Sequence, residues 1–214
     1  MAVKISPSIL AADFINLKDE LKRLEQNKAD MIHFDVMDGE FVPNISFANP
    51  ILKQVSGATS LPIDVHLMID RPHRYIEEFA KYADYLGFHY EAGSDVEATL
   101  KAIKGYGVKT CLTIKPCTAP QEIFKFLPLC DMVLVMSVEP GFGGQSFMPE
   151  SLDKVKALRY EIDSKGYNTL IEIDGGINKD TAPMAIAAGV DVLVAGSYLF
   201  GDKMKERIEY LKSL

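Results

Sequence analysis

The 214-residue chain contains no run of lysines and arginines, and no apolar stretch reaches the roughly 20 residues needed to cross a bilayer. Acidic side chains outnumber basic ones, 30 against 23, for a formal charge of −7. That sign argues against nucleic-acid and anionic-membrane binding. Cysteine is scarce: Cys111, Cys117 and Cys130 are odd in number and form no C-x-x-C pair, as expected of reduced thiols in a cytoplasmic protein. The opening residues, Met1-Ala2-Val3-Lys4-Ile5-Ser6-Pro7, lack the long apolar region of a signal peptide. No composition break divides the chain, so a single domain over residues 1–214 is expected.

What the chain does contain is alternation. Strand-like apolar runs at Val3–Ile9, Met31–Met37, Leu61–Leu67, Tyr85–His89, Val108–Ile114, Asp131–Val138, Thr169–Ile173 and Val190–Ala195 are separated by segments with helical spacing. The helices are expected at Leu17–Leu24, near Asn49–Val55, at Pro72–Tyr82 and Val96–Lys104, around Pro120–Phe126, and at Leu152–Ile162, Thr181–Ala188 and Met204–Leu211. Eight such units imply a parallel sheet, and their number suggests closure into a (β/α)8 TIM barrel, near the short end of that fold's range of roughly 200 to over 400 residues. The competing architecture is an open doubly wound sheet. No G-x-G-x-x-G follows the first strand, so dinucleotide binding has little support.

The unusual residues fall at strand ends. In Met31-Ile32-His33-Phe34-Asp35-Val36-Met37-Asp38-Gly39, residues two apart share a face, so Met31, His33, Asp35 and Met37 point the same way. An imidazole and a carboxylate on one buried face call for a partner or an ion. Similar endings occur at Asp64-Val65-His66-Leu67-Met68 and at Ile171-Glu172-Ile173-Asp174-Gly175-Gly176. In a barrel these ends carry function.

Taken in order, several motifs make the chain resemble the ribulose-phosphate 3-epimerase family over essentially its whole length. They are Ser6-Pro7-Ser8-Ile9-Leu10, His33-Phe34-Asp35-Val36-Met37-Asp38-Gly39, Asp64-Val65-His66-Leu67-Met68, Met136-Ser137-Val138-Glu139-Pro140-Gly141-Phe142-Gly143-Gly144-Gln145, Glu172-Ile173-Asp174-Gly175-Gly176 and Ala195-Gly196-Ser197. The resemblance implies a metal-dependent epimerase acting at C3 of a ketose phosphate, D-ribulose 5-phosphate and D-xylulose 5-phosphate first, in the pentose phosphate pathway. Relatives that epimerise the six-carbon D-allulose 6-phosphate share the core motifs. A small-molecule substrate is expected, with a homo-oligomer as one arrangement of the enzyme.

Inversion at C3 needs two acid/base groups on opposite sides of the carbon. In the family these match Asp35 and Asp174. Two facing carboxylates repel, and a divalent cation between them removes the conflict. His33 and His66 would complete a set with Asp35 and Asp174 that suits zinc first, with iron, manganese or cobalt as alternatives. Phosphate would rest on the backbone of Gly141-Phe142-Gly143-Gly144, Gly175-Gly176 and Gly196-Ser197, because glycine allows close approach and loops after the last strands of a barrel often bind it. Gln145–Phe147 is expected in a closing lid. Ser8 and His66 would touch substrate, and Met37, Met68 and Met136 would line the reacting carbon, although methionine also fills cores anywhere.

Several residues read more plainly. Asp38, before Gly39, reads as a turn residue, Asp64 as a buried partner, and His73 as surface. His89, near Glu91, is expected at the mouth or behind the ligands. Glu40, Lys115 and Glu139 depart from the family pattern, and Glu40 and Lys115 could reach the rim and affect which sugar fits. A phosphosugar aldolase or decarboxylase on the same barrel would need a catalytic lysine, often in Asp-x-Lys-x-x-Asp, which is absent. A non-catalytic sugar-phosphate binder would not need an opposed pair of acids.

Overall fold

The structure, a computed structural model, describes residues 2–214; Met1 lies outside them. Eight parallel strands form one sheet: β1 Lys4–Pro7, β2 Ile32–Met37, β3 Ile63–Met68, β4 Tyr85–His89, β5 Lys109–Ile114, β6 Met132–Met136, β7 Leu170–Asp174 and β8 Val192–Ala195. From β2 to β8 each strand pairs with its sequence neighbours, β8 pairs with β1, and an isolated bridge between Ser8 and His33 joins β1 to β2. The sheet therefore closes as a (β/α)8 barrel.

Alternation along each strand divides the core in two. Ile32, Phe34 and Val36 of β2, Val65 and Leu67 of β3, and Val133 and Val135 of β6 belong to the large apolar layer between barrel and helices. Met31, Met132, Leu134, Met136 and Val192 belong to a separate cluster inside the barrel. With both faces covered, the strands read as near-continuous apolar runs.

The outer ring comprises α1 Leu17–Gln26, α2 Asn49–Ser56, α3 Ile76–Ala80, α4 Val96–Gly105, α5 Ser151–Lys165, α6 Ala182–Ala188 and α7 Met204–Ser213. Leu21 and Leu24 anchor α1 in the core, and the Asp95 carboxylate caps α4 by accepting from Ala98 N–H. Two expected helices differ. Pro72–Tyr82 divides at Tyr75 into a 3₁₀ turn, Pro72–Arg74, and the short α3. Pro120–Phe126 lies in a 3₁₀ segment, Pro120–Leu129, where Pro128 can donate no backbone hydrogen bond to an α-helical ladder.

A repeat runs round the end of the barrel opposite the site. Asp30, Asp84, Asp131 and Asp191 precede β2, β4, β6 and β8. Their carboxylates accept from the N–H of Ile5, Ile63, Thr110 and Ile171 on the preceding strand at 2.8, 2.8, 2.9 and 2.8 Å. Each aspartate's own N–H donates back to the carbonyl of that same residue at 2.8–3.1 Å. Four reciprocal clamps thus tie the strands in pairs at the base.

Among the described residues, no helix is long and apolar enough to cross a membrane, and all three cysteines are free.

Candidate metal centre and active site

Register builds the centre. In the β2–β3 pairing Asp35 lies opposite His66 and His33 opposite Asp64, so two imidazoles and two carboxylates enter the barrel side by side. Asp174 arrives from the last residue of β7. His33 Nε2 lies 3.3 Å from His66 Nδ1 and 3.3 Å from Asp35 Oδ1, and His66 Nδ1 lies 3.3 Å from the same Asp35 oxygen. Asp174 Oδ2 is 3.9 Å from His33 Nε2. One donor atom from each of these four residues falls within 4.8 Å of the other three.

The donor set fits a small divalent cation. Tetrahedral zinc with bonds of about 2.0 Å separates its ligand atoms by about 3.3 Å. Three of the distances above have that length. Two neutral imidazoles and two carboxylates would balance a double positive charge.

Behind this set, His33 Nδ1 donates to Asp64 Oδ2 at 2.6 Å, as expected of a buried orienting carboxylate. Burial alone would lower the His33 pKa, but the carboxylates of Asp35 and Asp64 overcome it and raise it well above 6.5. Burial likewise works to raise Asp35. The charge of His33 and hydrogen bonds from His33 and His66 prevail, holding it well below the usual carboxylate range. Asp174 goes the other way, pushed up to about 6 by burial, with the Asp35 charge adding to the effect against His33. Ser8 Oγ donates to Asp35 Oδ2 at 2.6 Å. Glu172, one layer below Asp174, is fully buried and neither carboxyl oxygen has a hydrogen-bond partner; burial and Asp64 raise its pKa well above 4.5.

A cavity of about 910 Å³ opens above the centre. Asp35 and Asp174 reach its wall, with Ser8, Met37, Met68 and Met136. Gly141, Phe142, Gly143 and Gly144 after β6, Gly175 and Gly176 after β7, and Gly196 and Ser197 after β8 line it as well. These loops follow neighbouring strands, so they share one side of the mouth. Gln145, Ser146 and Phe147 extend that wall. Gly176 has φ +64°, and a Cβ there would lie 2.5 Å from Phe147 N, so only glycine fits the approach of the two loops.

Other expected positions turn out differently. His66 is 1% exposed and lies behind the wall, so it would reach a substrate only through a shared cation. His89 is fully buried rather than at the mouth; its Nε2 lies 2.8 Å from His66 Nε2, and burial holds its pKa at about 4. Lys115 lies over the Phe41 ring, 3.8 Å from its centroid, and neither it nor the exposed Glu40 and Glu139 lines the cavity. Asp38, by contrast, is the turn residue expected, accepting from the N–H groups of Glu40, Phe41 and Asp70.

Asn44, Asn178, Tyr198 and Arg207 line the cavity without having been legible in the motifs. Asn44 Nδ2 donates to the Gly141 carbonyl at 2.7 Å. Arg207 is the one cationic side chain of the lining. It reaches in from α7, donating to the Tyr198 carbonyl at 2.5 Å. A residue on an outer helix carries no spacing signal for this role.

The family described as "Ribulose-phosphate 3 epimerase family" matches residues 4–200. The ribulose-phosphate 3-epimerase of Bacillus subtilis (strain 168) is 47% identical over 207 residues, 96% of this chain and 95% of the relative. That of Methanocaldococcus jannaschii is 44% identical over 211 residues, 98% of this chain and 90% of the relative. Among solved structures, 3-hexulose-6-phosphate synthase superposes with a TM-score of 0.69 at 15% identity, covering 100% of this chain and 99% of its own, which speaks for the fold alone.

Proposed function

The chain belongs to the ribulose-phosphate 3-epimerase family and is an isomerase, and from that premise we propose that it interconverts D-ribulose 5-phosphate and D-xylulose 5-phosphate by two-base proton transfer. The observation that carries this reading is the meeting of Asp35, Asp174, His33 and His66 within 4.8 Å, with Asp35 and Asp174 in the wall of a cavity that the three glycine loops also line.

Asp35, held ionised by its neighbours, takes the proton from one face of C3. Asp174, whose pKa lies near neutrality, returns one from the other face, and reversal exchanges the two roles. Ser8 fixes the Asp35 carboxylate through Oδ2. His33, Asp35, His66 and Asp174 would hold one divalent cation, zinc first and otherwise iron, manganese or cobalt. That cation, when bound, supplies Lewis-acid charge against the enediolate left by deprotonation. Met37, Met68 and Met136 surround the reacting carbon with a wall that offers no strong donor. The phosphate rests on the backbone of the three glycine loops, with Arg207 as its one cationic neighbour.

Substitution separates the two acids from the binding wall. Asp35→Asn and Asp174→Asn should each lower kcat by about 100- to 10,000-fold with KM little changed. Turnover of D-allulose 6-phosphate faster than that of D-ribulose 5-phosphate would overturn the substrate assignment.

A further inference from the structure

His66 uses only one ring nitrogen in the centre. Its Nδ1 faces His33 Nε2 and Asp35 Oδ1, each at 3.3 Å, while Nε2 points away. There it meets His89 Nε2 at 2.8 Å. Two ring nitrogens at that distance share a single hydrogen, so one must donate and the other accept.

What lies beyond His89 sets the direction. Glu91 Oε2 lies 3.4 Å from His89 Nδ1, a charge contact not aligned as a hydrogen bond, and neither buried atom has a hydrogen-bond partner elsewhere. Glu91 is itself fixed: its Oε1 accepts from Lys115 N–H at 2.9 Å and from Thr118 Oγ1. Lys154 Nζ in turn ties down the carbonyls of Lys115, Pro116 and Thr118. The His89 ring is held between two others. It meets the His66 ring edge to edge, the planes tilted by 27° and the centroids 4.9 Å apart, and packs against Phe41 at 4.8 Å.

A carboxylate can only accept, so the hydrogen of His89 belongs on Nδ1, facing Glu91. The Nε2 of a neutral His89 then has a lone pair and accepts from His66. Nε2 of His66 must therefore carry its hydrogen, which leaves the Nδ1 lone pair free and aimed at Asp35 and His33.

We propose that His89 and Glu91 are positioning residues for the cation centre: through the chain Glu91–His89–His66 they hold His66 in the tautomer and orientation that offers Nδ1 to the ion. This inference rests on the cation site proposed above. Neither residue lines the cavity or belongs to the four-residue donor set. Partners of this kind typically change metal affinity by about 10- to 100-fold.

The test uses zinc itself, in competition with a coloured chelator, on the full chain and its His89→Phe and Glu91→Gln variants. Zinc binding should weaken by about 10- to 100-fold in each. Nitrogen-detected NMR of the imidazoles, on metal-free protein, should show His66 with its hydrogen on Nε2 in the parent and a mixture of tautomers in both variants. A purely structural role would not move that signal. Should His89→Phe fail to fold, Glu91→Gln retains the ring and carries the test. Parent affinity and an unchanged His66 tautomer in Glu91→Gln would overturn the proposal. If His33→Ala also binds zinc as tightly as the parent, the cation site itself is wrong, and that failure is told apart from this one.

Discussion

Ser8 Oγ donates to Asp35 Oδ2 at 2.6 Å, across the junction where the bridge from Ser8 to His33 closes the barrel. The residue expected to touch a substrate hydroxyl thus has a second engagement, with the proposed base. A hydrogen bond to a charged group contributes about 1.5–3 kcal/mol. Ser8→Ala should therefore lower kcat/KM by about 10- to 100-fold in steady-state assays.

Gly176 and Gly143 both line the cavity but predict opposite responses. A Cβ on Gly176 meets the Phe147 backbone at 2.5 Å and the residue has φ +64°, whereas a Cβ on Gly143 meets nothing within 4 Å. Gly176→Ala should displace the loop after β6, lowering the thermal midpoint and raising KM for the sugar phosphate. Gly143→Ala should keep the parent midpoint. Equal midpoints for the two variants would contradict the close approach of these loops.

At the base, Asp131 accepts from Thr110 N–H at 2.9 Å and from the Thr110 hydroxyl at 3.0 Å. Asp131→Ala should cost about 1–3 kcal/mol in urea unfolding, because it leaves a buried N–H without its acceptor. Turnover at a temperature well below unfolding should not change, since the cavity is at the other end.

Stability should fall at both extremes of pH. Burial works to raise the Glu91 pKa, but His89, the Thr118 hydroxyl and the Lys115 amide hold it down at about 2, against 4.5 for the free side chain. Below pH 4.5 the unfolded chain takes up a proton that the folded chain refuses until about pH 2. The stabilisation is complete above 4.5 and is lost as pH falls towards 2. Cys130 acts in the opposite sense: burial pushes its thiol up to about 12 from 9, so its contribution is complete below pH 9 and is lost as pH rises towards 12. Urea midpoints measured from pH 7 down to pH 3 should fall less steeply in Glu91→Gln than in the parent.

The strands were legible because burial on both faces leaves an apolar signature that short links then isolate. Tyr85–His89 agrees residue for residue with β4. The helices were less so. Pro120–Leu129 has apolar residues at positions that suit an α-helix, and the 3₁₀ geometry depends on a proline near its far end. The centre was legible for a different reason: His33, Asp35, His66 and Asp174 are polar residues on inward-facing strand positions, where each is an anomaly that asks for a partner. Glu172 and Asp64 share that property. Arg207 does not, because on the outer surface of a helix a charged residue is ordinary. The four basal aspartates carry no such anomaly: Asp30 and Asp84 flank expected strands, Asp131 and Asp191 fall within them, and only their pairing with the preceding strands shows what they hold.

Asp35 and Asp174 are proposed to exchange protons with C3 of a ketose phosphate from opposite faces. Incubating D-ribulose 5-phosphate with zinc-loaded protein in D₂O, and following the sugar by NMR, tests it most directly. Deuterium should appear at C3 of D-xylulose 5-phosphate as it forms, and that incorporation should be lost in Asp35→Asn. Conversion with C3 retaining its original hydrogen, or undiminished exchange in Asp35→Asn, would contradict it.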